Sequence, residues 1–311
     1  MTAKPRIGVV GSSNVDLVTY VERMPVWGET ISAPRFEMSN GGKGANQAVA
    51  AAKLGADVVM VAKVGDDMLG EGVLKNFEAV GVGAKHVRRV AGQSTGTATI
   101  LVNAAGDNFI LIVKGANGDL RPADVEAAGE DLKACDLILL QLEVPLETVY
   151  AALAFGRNHG VKTALNPAPA VRNLDMERVR LASFLTPNES ELAILTGMPV
   201  ESEDEIEAAA KSLLARGQET LIVTLGARGA LLAGPQGFKR IAPAKVRAVD
   251  STGAGDAFIG SFARYYAAGL GIEAALEKAT LYAADSVTRR GAQKSFATES
   301  EFEAFCAKVD T

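Results

Sequence analysis

The chain has 311 residues, 48% hydrophobic and 22% charged, a composition of globular proteins with one large or two ordinary domains and ample core. A net charge of −5 with no basic stripe excludes a protein built to track nucleic-acid phosphates, and leaves anionic ligands to local positive potential. The apolar stretch from Ile7 to Val10 is too short for a signal peptide or a membrane span, so a cytoplasmic protein without a membrane partner is expected. Cys135 and Cys306 form no C-x-x-C pair and read as free thiols, and His86 and His159 carry no motif.

In chain order, Arg6 to Gly11 predicts a buried first strand whose glycines miss the dinucleotide fingerprint, which disfavours a nicotinamide cofactor. Alternation from Ser13 to Val21 then puts Asn14 and Asp16 on one side and Val15 and Leu17 on the other. Two short polar groups on one face beside a core strand could grip a polyol; they could equally be turn residues. Short extended chain over residues 28–39 ends at Asn40-Gly41-Gly42-Lys43-Gly44-Ala45-Asn46-Gln47, and a helix follows through Leu54 to a stop at Gly55. Lys43 and Asn46, three apart, share a face, and the glycines beside them let a ligand approach the backbone. No Ser or Thr follows Lys43 as a Walker A motif requires, so a sugar-holding loop explains the lysine better.

A strand over 58–64 and a helix over 69–80 closed by Gly81 give the βα alternation of a parallel sheet flanked by helices. Strands over 95–103 and 109–114, joined by a hairpin, interrupt it. With the earlier extended chain they make lid segments at about 13–40 and 95–114, and the apolar run from Phe109 to Val113 needs cover. A partner subunit's lid would supply that cover, so a homodimer is expected.

Alternation resumes with helices over 122–132 and 146–159, strands over 136–141, 161–165 and 184–186, helices over 189–196 and 203–216, and a strand over 221–225. Ligands of open α/β sheets sit beyond the carboxyl ends of strands, where Glu143, Asn166, Asn188 and Thr224 fall. Asn188 and Glu191 lie three apart on one helix face, a spacing that suits a hydrated cation or phosphate, or a helix cap. A β segment over 230–246 leads to Asp250-Ser251-Thr252-Gly253-Ala254-Gly255-Asp256, helices over 255–268 and 272–287, and a loop over 288–295.

That glycine-rich stretch leaves backbone N–H groups clear at a helix start, where partial positive charge collects. A carboxylate where a phosphate would dock is awkward unless it takes a proton from the attacking group, so Asp256 reads as a general base. Connector turns and helix caps use the same residues.

These motifs together resemble the ribokinase (PfkB-type) family of sugar kinases over essentially the whole chain: Asn14 with Asp16, the Gly41 to Gln47 loop, Asn188-Glu189-Ser190-Glu191, and Asp250 to Asp256. The resemblance implies a single α/β domain over 1–311, with a central mostly parallel sheet flanked by helices and a small β-sheet lid. It implies transfer of the γ-phosphoryl of ATP to the 5-hydroxyl of D-ribose, with Mg²⁺. Asn14, Asp16, Gly42, Lys43, Asn46 and Glu143 would hold the sugar, with Asp256 as base and the N–H groups of Gly253, Ala254 and Gly255 as anion hole. Asn188 and the run Thr224, Leu225, Gly226, Ala227, Arg228 and Gly229 would line the ATP site with Gly255 and Asp256, and Glu191 would act on Mg²⁺ through water. K⁺ would sit near Asp250, with carbonyls of Thr252, Ser286, Arg289 and Gly291 and the Ser295 hydroxyl. Thr280 stands where relatives often carry Asn against the nucleotide. The competing substrates are 2-deoxyribose, fructose or a nucleoside, and a non-catalytic sugar or nucleotide sensor is a separate class.

Overall fold

Strands that helices cover on both sides must be apolar on both faces, and the central body strands are. The computed structural model describes residues 4–309; residues 1–3 and 310–311, the ends of the domain expected over 1–311, lie outside the described residues. In chain order the first half holds β1 (Arg6–Val10), β2 (Asn14–Tyr20), β3 (Arg35–Gly41), α1 (Lys43–Lys53), β4 (Asp57–Gly65), α2 (Met68–Val80), β5 (Val82–Val90), β6 (Gly96–Val102) and β7 (Asn108–Val113). Next come α3 (Pro122–Ala127), α4 (Gly129–Lys133), β8 (Leu137–Leu140), α5 (Leu146–His159), β9 (Lys162–Leu165), α6 (Met176–Val179), β10 (Phe184–Leu185), α7 (Glu189–Thr196) and α8 (Glu203–Ala215). The chain closes with β11 (Leu221–Thr224), β12 (Ala230–Gly234), β13 (Gly237–Ile241), α9 (Ala254–Ala267), α10 (Ile272–Ser286) and α11 (Glu299–Val309).

Nine strands form the body sheet in the order β13-β12-β11-β10-β9-β8-β1-β4-β5, antiparallel only at the β11–β12–β13 edge. Side chains alternate across it: Leu137 and Leu139 join a core under α1, α9 and α10, while Ile138 and Leu140 join a second core on the opposite face. The lid is a separate four-stranded sheet in the order β3-β2-β6-β7. The expected α/β architecture with a β lid is therefore the architecture found.

One contact between helices positions the site. An added β-carbon at Gly260 of α9 would lie 2.5 Å from the Gln47 carbonyl oxygen, so glycine lets α9 lie directly on α1. The start of α9 is thereby held against Asn46 and Gln47 of α1.

Several boundaries differ from expectation. Strand β5 was not anticipated, because its sequence carries Lys85, His86, Arg88 and Arg89; it is a sheet edge, where charges are tolerated. The helix expected over 122–132 divides at Ala128 into α3 and α4, and α6 and α11 lie where no helix was expected. Residues 28–34 form no strand, and α1 begins at Lys43 rather than at Ala48.

Candidate active site

The starts of three helices, α1, α7 and α9, converge at the carboxyl ends of the body strands. Gly253 has φ 75°, a left-handed conformation that favours glycine, and it opens α9 with Asp256 in the first turn. Asp256 is buried; its Oδ2 accepts from Asn46 Nδ2 at 2.9 Å and its Oδ1 from Gln47 Nε2 at 3.0 Å. Burial pushes its pKa up, against the pull of the Lys43 charge and the two amide donors. A carboxylate so placed can take a proton from a hydroxyl beside it. The three amides expected to form an anion hole are not all free in this geometry. The N–H of Ala254 donates to the Ser251 carbonyl at 3.2 Å, whereas among the described residues Gly253 and Gly255 form no such turn bond.

The expected sugar residues gather next to Asp256. Asn14 pairs with Gly41 across the β2–β3 ladder, and its Oδ1 accepts from Asn117 Nδ2 at 2.7 Å, leaving the Asn14 NH₂ to donate. Glu143 Oε2 accepts from Ser12 Oγ at 2.5 Å and from the Lys43 backbone N–H at 3.0 Å, which fixes the carboxylate at the start of α1. Asp16 has its pKa raised to about 6, first by burial and then by the charges of Glu143 and Asp256. It lines a cleft of about 1010 Å³ between lid and body, at the upper end of the roughly 300–1,000 Å³ usual for ligand pockets.

A smaller cavity of about 140 Å³ adjoins it, lined by Lys43, Asn188, Glu191, Thr224, Gly253, Ala254, Gly255 and Asp256. Lys43, expected among the sugar residues, thus lines the smaller cavity, with its charge acting on Asp256. Asn188 and Glu191 form a reciprocal helix cap: Asn188 Oδ1 accepts from the Glu191 N–H at 2.8 Å, and both Glu191 oxygens accept from Asn188. Burial raises the Glu191 pKa; the Asn188 N–H and the Lys43 charge oppose it, and the Asp256 charge adds to it. Thr224 forms a parallel bridge to Asn188. Leu225 is buried, Gly226 to Arg228 are exposed, and Arg228 is ion-paired with Glu189. Thr280 is buried on α10, donates to the Leu276 carbonyl and lines neither cavity.

Asp250 ties the two expected cation loops together. Its Oδ2 accepts from the Gly291 N–H at 2.8 Å, and its Oδ1 from Thr252 N and Oγ1 at 2.9 and 2.7 Å. Burial opposes these donors, but they hold its pKa below the ordinary carboxylate value. The Ser295 hydroxyl donates to the Ala292 carbonyl, which leaves its own lone pairs available. Arg289 binds Asp285 and the Ser295 carbonyl through its guanidinium.

A model of the pfkB family of carbohydrate kinases matches residues 4–299. The chain belongs to that family. It is 51% identical over 299 residues to the deoxyribokinase of Salmonella typhimurium, covering 96% of this chain and 98% of that one. To the ribokinase of Bacillus subtilis it is 42% identical over 297 residues, covering 96% and 98%. Among solved structures, that of Arabidopsis thaliana ribokinase complexed with ribose and ATP is similar at a TM-score of 0.92, with 32% identity and coverage of 97% and 99%. The PfkB chain described here is an ATP-dependent sugar kinase with the ribokinase-like fold. No described helix is long and apolar enough to cross a membrane.

Sequence reasoning gave no role to three amides of this PfkB site: Gln47 on Asp256, Asn117 on Asn14, and Gln293 on Asn46. Gln47 stood next to Asn46 in the glycine-rich loop, which was a usable signal. The other two lie far away in sequence and come near only through the fold.

Proposed function

We propose that the chain transfers the γ-phosphoryl of ATP to the 5-hydroxyl of a pentofuranose, D-ribose or its 2-deoxy analogue, with Asp256 as the general base. The observation that carries this reading is the buried Asp256 carboxylate, oriented by two amides and lining the smaller cavity. Asn14, Asp16, Gly42, Lys43, Asn46 and Glu143 hold the sugar hydroxyls. The N–H groups of Gly253 and Gly255, joined by that of Ala254 once it leaves the Ser251 carbonyl, face the transferred group at the start of α9, where the helix dipole favours negative charge. Thr224 to Gly229 and Asn188 lie along the nucleotide.

Mg²⁺ fits this donor set through water. Both Glu191 oxygens are engaged in the helix cap, and no group of three or more His, Cys, Asp or Glu side chains could form a cage among the described residues. A divalent ion here would take its oxygens from the triphosphate and water, and would offset charge on the transferred phosphoryl. K⁺ fits the single carboxylate of Asp250 with carbonyls of Thr252, Ser286, Arg289 and Gly291 and the Ser295 hydroxyl, because one negative charge among neutral oxygens suits a monovalent ion.

A second reading, 2-deoxy-D-ribose as the preferred sugar, is favoured by the 51% identity to a deoxyribokinase against 42% to a ribokinase. A site that bonds the 2-hydroxyl rejects its absence strongly, so the kcat/KM ratio between the two sugars decides. ADP release is to be measured with Mg-ATP on ribose, 2-deoxyribose, fructose and adenosine, with and without K⁺. A K⁺-raised rate greatest on a pentose is the expected result. No turnover on any of them would favour a sensor.

The apolar strand β7 supports a homodimer through the lid. Phe109 to Val113 are each at least 51% exposed at the edge of the lid sheet, a patch that water penalises. Light scattering at micromolar concentration should give twice the monomer mass, and Ile112→Lys should reduce it to the monomer value. A monomeric parent protein would overturn the assignment.

A further inference from the structure

Both side chains that donate to Asp256 are primary amides, and an amide can present either its NH₂ or its oxygen to a neighbour after a half-turn. A half-turn of Asn46 or Gln47 would set a carbonyl oxygen against the carboxylate. What prevents it lies one step further out. Asn46 Oδ1 accepts from Gln293 Nε2 at 3.0 Å, and Gln293 Oε1 accepts from Asn76 Nδ2 at 2.9 Å. On the other side Gln47 Oε1 accepts from Gln141 Nε2 at 2.6 Å. The donors therefore run in one direction from each side, Asn76 to Gln293 to Asn46 to Asp256, and Gln141 to Gln47 to Asp256.

We propose that Gln293 and Gln141 are positioning residues: by donating to the oxygens of Asn46 and Gln47 they lock both NH₂ groups onto Asp256 and keep its carboxylate ready to receive the sugar proton. The inference rests on Asp256 being the base. Gln141 and Gln47 are buried at 1% and 0% exposure, so no solvent can stand in for a lost donor. Gln141 Oε1 is itself buried without a partner, which marks it as the outer end of its arm. The other arm continues through Gln293 to Asn76, which is only half-buried on α2.

The charged groups facing Asp256 are Lys43 from α1, Glu143 after β8, Asp16 from β2 and Glu191 from α7. None changes when a glutamine is replaced by methionine of similar volume. A donor lost from an ionised carboxylate disfavours the charged form, so the acidic limb of the pH profile must move to higher pH.

The test is the pH dependence of kcat/KM for ribose and 2-deoxyribose in Gln293→Met, Gln141→Met and Asn76→Leu, with thermal unfolding as a check on folding. Each methionine variant should lose about tenfold in kcat, with KM for ATP within about twofold of the parent and the acidic limb displaced upward. Asn76→Leu should displace the limb the same way by less, and at a half-buried position it keeps the test open if the buried variants do not fold. Folded variants with the acidic limb at the parent position, whatever their rates, overturn the proposal, since a purely structural role lowers rate without moving that limb. Asp256→Asn is run alongside: retained turnover there overturns the base and this proposal together, while lost turnover with unmoved limbs overturns this proposal alone.

Discussion

Asp256→Asn is expected to lower kcat by about 10²- to 10⁴-fold, the usual worth of a general base, while leaving sugar affinity nearly intact. The substitution keeps shape and removes the group that accepts a proton. It also sets an amide against two NH₂ donors, so either Asn46 or Gln47 must turn away from one of its atoms. The expected loss therefore combines the absent base with a disordered donor pair, and it falls on kcat. Calorimetric titration of the sugar separates the two quantities. If turnover persists at the parent rate with the sugar still bound, the proton goes elsewhere and Asp256 is not the base.

The fold was legible wherever a strand or helix showed its own period. Strand β8 reads as a continuous apolar run because helices cover both faces, and α9 reads from its small residues, which allow contact with α1. Strand β5 was not legible, since an edge strand with four basic side chains has the composition of a loop. The candidate site divides in the same way. Asp256, Lys43 and Asn46 lie in glycine-rich turns whose chemistry is local, and the sequence exposes them. Gln293 is 247 residues from Asn46, and no local pattern announces that its amide meets the oxygen of another amide. The cap formed by Asn188 and Glu191 was open to two readings from spacing alone. The structure realises the cap, with both Glu191 oxygens engaged by Asn188.

Asp16→Asn is expected to weaken sugar use and to stabilise the ligand-free protein, two effects of one carboxylate. Asp16 is pressed by burial and by the charges of Glu143 and Asp256, and among the described residues no protein donor offsets them, so its pKa rises from 3.8 to about 6. Above pH 6 the folded protein carries that ionised group at a cost of about 3 kcal/mol, which the neutral amide removes. Between about pH 4 and 6 the folded state holds the proton while the unfolded state has lost it. The parent's stability from this group is therefore full below pH 4 and is lost as pH rises through 6. Thermal melts should show the variant more stable at pH 7.5, with the gap closing by pH 4. In turnover the direction reverses: a charged acceptor for a sugar hydroxyl is worth about 10- to 100-fold in kcat/KM, and the variant should lose it mostly through KM. A variant no more stable than the parent at pH 7.5 would place the Asp16 charge in solvent, and an unchanged KM would take it out of the sugar site.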